Sequence, residues 1–277
     1  MSVPSDFKPN NTGPMQTRLK VMSWNLWWQF GPWQARAAAI EATIKASEPD
    51  LIGLQEVWGE VEDNFAKNIA TKLGYHCYYT KCMTMNRVGF GNAVLSRWPI
   101  LESDSLQLHG EAETGELRMV SYAKIDGPRG EVPFFNTHLN WRYEQSHIRQ
   151  QQVENVAEFV KAKTAAKMPP VICGDFNAEP DSEEVRRFKG LTTSAAEGLV
   201  FHDAWAVAGA GEGHTWSNEN EFASAEFEPD RRIDYIFAGH PKARGRGQVT
   251  DIRLIGDAPV EGVWPSDHFG LLAKLRY

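Results

Sequence analysis

A chain of 277 residues, 42% hydrophobic and 23% charged, is long enough to bury a substantial core and has the composition of an ordinary globular protein. Its formal charge of -7 argues against sequence-independent binding to long duplex DNA, an affinity that comes mainly from Lys and Arg neutralising phosphates. No apolar run approaches the length of a membrane span, so stable membrane insertion is not expected.

Residues 1–17 are polar, carry Pro4, Pro9 and Pro14, and lack apolar periodicity, which predicts a flexible tail. That stretch also lacks the basic start and apolar core of a signal peptide. Cys77, Cys82 and Cys173 match no zinc spacing and read as reduced thiols, so the expected location is the cytoplasm. Residues 18–277 are expected to form one domain, because no Gly/Ser/Pro linker divides them.

In chain order, residues 19–24 alternate as a strand, 33–47 are Ala-rich with helical spacing, and 51–55 read as a second strand. A second helix is predicted over 61–73, stopped by Gly74, followed by strands at 75–81 and 91–97. Residues 117–125 and 133–138 form a strand pair across a Gly/Pro turn, and the longest helical pattern covers 144–167. A strand from Val171, a short helix at 182–188 and strands at 233–237, 249–254 and 269–275 complete the series. Residues 207–231 are poorly periodic and read as a surface loop near the mouth of a site. The mixture predicts an α/β fold built in layers.

Six segments carry apolar residues into a polar end: Ser23-Trp24-Asn25, Leu54-Gln55-Glu56, Asn136-Thr137-His138-Leu139-Asn140, Val171 to Asn177, Arg232-Ile233-Asp234-Tyr235, and Ser266-Asp267-His268. In a strand, residues two apart share a face, so Asp175 and Asn177 face one way, as do His138 and Asn140. Glu56 follows an apolar strand, where a buried carboxylate is costly without a cation or a hydrogen-bonded partner. Trp27, Trp28, Trp33, Trp58, Trp141 and Trp264 lie within a few residues of these polar ends and are expected to ring the site, whereas Trp98, Trp205 and Trp216 read as packing residues.

In this order the six segments resemble the signature of the endonuclease/exonuclease/phosphatase family, the deoxyribonuclease-I-like metal-dependent phosphoesterases, over about 19–275. The resemblance implies an α/β sandwich of two packed mixed β-sheets flanked by helices. It also implies a hydrolase, most often of phosphodiesters, acting by direct in-line attack of water and using Mg²⁺, with Mn²⁺ as a substitute. Asn25, Glu56 and Asp267 are then the metal-site residues. His138, Asp175, Asn177, Asp234 and His268 are the catalytic set, with Asp234 orienting His268 and either Asp175 or His268 taking the water proton. Arg118 resembles an arginine that reaches substrate phosphate, Asn140 stands beside His138, and Trp27, Trp58, Trp141 and Trp264 are the expected aromatic contacts. Arg149, Gln150 and Gln151 match positions where the family carries Arg and Gln, and also read as helical surface.

Within that class the sequence leaves open a general DNA or RNA nuclease, a sphingomyelinase-like enzyme, an inositol phosphate phosphatase, and a non-catalytic binder on the same fold. Every signature position is present, so none demands a dead enzyme. The acidic total and the tryptophans favour a small diester or single-stranded nucleic acid. Nothing in the sequence speaks to oligomeric state.

Overall fold

The computed structural model describes residues 13–163 and 167–277. In chain order the elements are β1 (Arg18–Asn25), α1 (Trp33–Ser47), β2 (Leu51–Trp58), α2 (Phe65–Leu73), β3 (His76–Met85), β4 (Val88–Ser96), β5 (Ile100–Gln107), α3 (Glu111–Thr114), β6 (Met119–Ile125) and β7 (Val132–His138). After these come α4 (Ser146–Lys163), β8 (Val171–Asp175), α5 (Glu183–Phe188), β9 (Phe201–Asp203), α6 (Ala204–Ala208), α7 (Glu221–Ser224), β10 (Asp234–Gly239), β11 (Val249–Ile255) and β12 (Gly270–Arg276).

Two six-stranded sheets result, ordered β11-β12-β1-β2-β4-β3 and β5-β6-β7-β8-β10-β9. Each has one parallel pair at its centre, β1 with β2 and β7 with β8, flanked by antiparallel neighbours. The sheets press together over Leu19, Val21, Leu51, Phe134, Val171, Ile236 and Ala273. At Gly53 the approach is so close that a Cβ would meet Cys173 Sγ at 2.2 Å. Helices α1 and α2 cover the outer face of the first sheet through Ile40, Ile44 and Ile69, while α4 covers the second through Val153, Val156 and Val160.

This topology is what gathers the six motifs. The parallel strands β1, β2, β7 and β8 deliver their C-terminal ends, Asn25, Glu56, His138 and Asp175, to one rim. Their antiparallel neighbours β10 and β12 run the other way and bring their N-terminal ends there, with Asp234 opposite Asp175 in register.

The expected elements are present, with three differences of consequence. Helix α2 begins at Phe65 rather than residue 61, because Asn64 caps it by accepting from Lys67 N at 2.9 Å. The long helix ends its described span at Lys163; the rest of its expected range includes 164–166, which lie outside the described residues. Edge strand β5 has no counterpart among the predicted elements, because ILESDSLQ is half-exposed or exposed throughout and carries little apolar signal. Of the expected tail, residues 1–12 lie outside the described residues, whereas Met15 is buried and its N–H donates to Arg244 O at 2.9 Å. No helix among the described residues is long and apolar enough to cross a membrane.

Candidate active site

Between the converging strand ends lies a cavity of about 530 Å³. Its floor is polar and buried: Asp234 is fully buried and Asp175 is 1% exposed. Asp175 is the hub. Its Oδ1 accepts from Asn177 N at 2.8 Å, and its Oδ2 accepts from Asn25 Nδ2 at 3.0 Å. The same Oδ2 lies 3.5 Å from His138 Nε2 and 3.9 Å from His268 Nε2. Burial, then the neighbouring Asp234, raises the Asp175 pKa.

His268 Nδ1 and Asp234 Oδ2 are 2.9 Å apart, so the expected orienting pair is formed and Nε2 is turned toward Asp175. Asp175, Asp234 and His268 present atoms close enough to suggest a metal cluster. A hydrogen-bonded contact of 2.9 Å leaves no room for an ion between the last two, so we read this trio as a proton-handling group.

Glu56 sits where β2 is bulged: the pairing with β4 shifts between Leu54 and Val57. The bulge gives Glu56 a positive φ of 54° and aims its carboxylate at the floor, where Oε1 accepts from Asn25 Nδ2 at 3.2 Å. Glu56 Oε2 is buried with no hydrogen-bond partner, and burial raises the pKa of the group. Asp267 lines the same cavity, and burial pushes its carboxyl up to about 7. An orphaned carboxylate oxygen beside a second desolvated carboxylate is an oxygen-rich arrangement that a hard divalent cation satisfies. Asn25 Oδ1 already accepts from Trp27 N at 2.9 Å, so Asn25 also fixes the loop after β1.

On the opposite wall, Arg118 Nη1 and His138 Nδ1 are 3.0 Å apart. A guanidinium only donates, so Nδ1 accepts and a neutral His138 carries its ring proton on Nε2, which lies 3.5 Å from Asp175 Oδ2 and 3.1 Å from the Asn177 side-chain amide. Burial first, then the charges of Arg118 and His268, lowers the His138 pKa well below its ordinary 6.5. Asn177 is held with a positive φ of 48° and donates from Nδ2 to Leu139 O at 3.2 Å. Left-handed backbone at Trp27, Trp28, Glu56 and Asn177 concentrates conformational strain around this cavity.

Several expected positions fall elsewhere. Trp58 does not reach the cavity: it is 7% exposed and stacks on Phe65 at 4.0 Å, because the bulge at Glu56 turns the end of β2 back into the helix layer. Trp264 stacks on Phe269 at 5.9 Å and is not a lining residue, and Trp28 and Trp33 pack in the helix layer. Asn140 is fully buried and is spent on Gln145 and Gln152, so it shapes the loop after β7 instead of meeting substrate. Trp27 and Trp141 do line the cavity. Trp216, expected as a packing residue, stands edge-on over His268 at 5.2 Å.

Two residues went unnoticed in the sequence. Arg36 is fully buried on α1 and donates to the carbonyls of Leu26, Trp27, Trp28, Phe30 and Pro265 at 2.8–3.2 Å, tying the loop after β1 to the segment before Asp267. Its pKa is lowered to about 10 by burial, against the opposing pull of Asp267 and Glu56. Glu116 bridges Trp141 Nε1 at 2.9 Å and Arg118 Nη2 at 3.0 Å. An Arg in an Ala-rich helix and a Glu beside a Gly carry no sequence signal for either role. Arg149 is neither surface nor contact: it is buried on Glu184 at 2.6 Å and on the carbonyls of Asn140 and Arg142.

Nocturnin of Xenopus laevis is 27% identical to this chain over 271 residues, covering 88% of the chain and 65% of that protein. The putative neutral sphingomyelinase of Drosophila melanogaster is 23% identical over 285 residues, covering 93% of the chain and 60% of that protein. The chain thus spans less than two thirds of the length of these curated relatives. Among solved structures, D. rerio TDP2 complexed with single strand DNA product superposes with a TM-score of 0.75 at 20% identity, covering 94% of this chain and all 100% of that one. Truncated Caenorhabditis elegans TDP2 gives 0.72 at 22% identity, covering 94% and 98%. At such identities these likenesses establish the sandwich fold. The sequence model of the Endonuclease/Exonuclease/phosphatase family matches residues 22–268, a span that opens within β1 and closes on His268, and the chain therefore belongs to that family.

Proposed function

We propose that the protein is a divalent-metal-dependent phosphodiesterase that uses Mg²⁺, with Mn²⁺ as a substitute, and cleaves its substrate by in-line attack of water on phosphorus. The observation that carries this reading is the orphaned Glu56 Oε2 buried in the cavity that Asp267 also lines, next to a hydrogen-bonded His268–Asp234 pair. Glu56 and Asp267 would hold the ion together with the remaining lone pair of Asn25 Oδ1. When bound, the ion neutralises phosphate oxyanions and stabilises the leaving oxygen.

The chain's own residues do the rest. Asp175 Oδ2 and His268 Nε2, 3.9 Å apart, flank the position of the attacking water and handle its proton. Asp234 keeps His268 in one orientation, and the His138 Nε2–H together with Asn177 donates to phosphate oxygens. Aromatic side chains above the floor suit a small diester or single-stranded nucleic acid. The three free cysteines fit a reducing, cytoplasmic setting.

The test uses the nitrophenyl ester of thymidine monophosphate, a chromogenic diester. Chelator is expected to abolish its hydrolysis, added Mg²⁺ or Mn²⁺ to restore it, and the same ions to raise the Tm of the stripped protein. Full turnover in excess chelator would overturn the reading.

A further inference from the structure

At the end of the sandwich opposite the cavity, six cations gather: Arg18, Arg129, Lys242, Arg244, Arg246 and Arg276. Arg18 opens β1, which ends on Asn25 of the floor, and Arg276 closes β12, which starts just past His268, so a full strand length of roughly 25 Å separates them from the cavity. None of the six forms an ion pair among the described residues. The neighbouring Glu48, Asp50 and Asp251 are matched to Lys20, Arg97 and Lys274, which leaves Asp126, Glu131 and the Tyr277 carboxylate as the unmatched negative groups beside them. Three negative groups thus face six positive ones.

Backbone carbonyls hold these side chains in place without cancelling their charge. Arg18 Nη1 and Arg276 Nη1 both donate to Met15 O, at 3.2 and 2.5 Å, and Arg244 Nε donates to Gly13 O at 3.4 Å. Arg246 Nη1 donates to Arg129 O at 3.3 Å, and Arg276 Nε to Gln248 Oε1 at 2.8 Å. A carbonyl satisfies a donor but carries no net charge, so the positive charges stay whole and repel one another. In a chain of formal charge -7 such a concentration is local and oriented, the condition for binding a polyanion despite an acidic total.

We propose that this end of the protein binds the phosphate backbone of a nucleic-acid strand, at a surface separate from the cavity. Five of the six cations are arginines, whose planar fork places two donors on one phosphate. A membrane surface also requires apolar anchors among the charges. Here the segments 13–18, 126–131, 242–248 and 274–277 carry no exposed large hydrophobic residue. Binding at this surface involves no chemistry in the cavity, so it stands apart from the phosphodiesterase reading.

The test follows the fluorescence anisotropy of a labelled oligothymidylate titrated with the full chain in excess chelator, the strand being checked intact on a gel. The logarithm of the affinity is expected to fall against the logarithm of salt with a slope of about -2, as for roughly three neutralised phosphates of a single strand. Arg129→Gln combined with Arg244→Gln, both at exposed positions, should weaken binding about tenfold at low salt, with Tm and hydrolysis of the nitrophenyl ester unchanged. Arg186→Gln combined with Arg253→Gln removes the same total charge from exposed positions elsewhere and should change the affinity by less than about twofold. Equal weakening by both pairs, or none by the first, would overturn the proposal, since binding would then follow total charge or the cavity alone. Tighter binding to phosphatidylserine vesicles than to the strand, lost in the first pair, would overturn it as well and make the partner a membrane.

Discussion

Floor and mouth of the cavity are made of different material. Floor groups stand at strand ends and are buried, with His138 at 3% exposure, whereas Trp141 and Tyr143, on the connection between β7 and α4 that includes a single 3-10 turn at Tyr143–Gln145, keep 52% and 54% of their surface exposed. Asp175 at the centre of the floor is fixed from several sides, by Asn25, Asn177 and β10. The outer side chains are held by one another, as Trp141 is by the Glu116 hydrogen bond and the Arg142 guanidinium over its ring. Placing atoms for chemistry requires rigid strand ends, while accommodating a substrate flank tolerates loops.

If that division is right, damage to the floor acts on kcat and is the largest effect to be seen. His268→Ala and Asp234→Asn are each expected to lower kcat by about a thousandfold, within the range for a positioned proton carrier. The double variant should be little worse than either single one, because the two act as a hydrogen-bonded unit. Independent, multiplying losses measured in steady-state kinetics would show that Asp234 does not act through His268.

Arg36 tests how the floor is held from beneath. Arg36→Met removes the donor from the carbonyls of Leu26, Trp28, Phe30 and Pro265, while Trp27 O keeps the Phe30 N–H at 3.2 Å, and with unmet buried carbonyls costing about 1–3 kcal/mol each the protein should lose several kcal/mol of unfolding free energy. Arg36→Lys, which keeps the charge but not the fork of donors, should recover part of the stability in a denaturant titration. It should also still bind metal more weakly than wild type, read as a smaller metal-induced rise in Tm. Equal stability of all three proteins would mean the carbonyls find water and the clamp is not needed.

The tryptophans separate the two regions most cleanly. Trp141→Ala is expected to raise KM by an amount equivalent to about 1–3 kcal/mol of stacking, with kcat and Tm little changed. Trp58→Ala, 31 residues from Trp27 in sequence but buried against Phe65, should cost about 3–5 kcal/mol of stability and leave KM alone. The opposite pattern would place the substrate on the helix layer and undo the assignment.

These contrasts also mark what the sequence made legible. The strand-end places of Asn25, Glu56, His138, Asp175, Asp234 and His268 were legible because an apolar strand pattern fixes where a strand ends, whereas their proposed roles came from the resemblance of the six ordered motifs to the family, a polar strand end alone being most often an ordinary turn residue. Nearness in sequence failed for Trp58, since one extra residue in the β2 bulge reverses which way the following side chains point. It failed for Trp216 in the other direction: that residue belongs to a loop whose path over His268 is set by bridges to Arg231 and His268, contacts between distant segments that no local pattern encodes. Arg36 and Glu116 were invisible for the same reason, their roles being defined by partners elsewhere in the chain.

The smallest expected effect is a pair of opposite titrations within the floor itself. Burial alone would pull His268 down, but Asp234, Asp267 and Asp175 outweigh it and hold the imidazolium up to about 10. His138, equally buried but facing Arg118, is pushed well below 6.5. In the metal-free protein the ring proton resonances of His268 should therefore stay in the charged form from about pH 5 to 8, the range in which an unperturbed His titrates, while those of His138 stay neutral. Stability should follow with opposite signs. The His268 contribution is fully present below the unfolded pKa and is lost as pH rises through about 10, whereas the His138 contribution is present above the unfolded pKa and is lost as pH falls below it. His138→Gln and His268→Gln assign the resonances. Both rings titrating together near 6.5 would mean that Arg118 and the carboxylates do not govern their neighbours, and the contrast between the two walls of the floor would collapse.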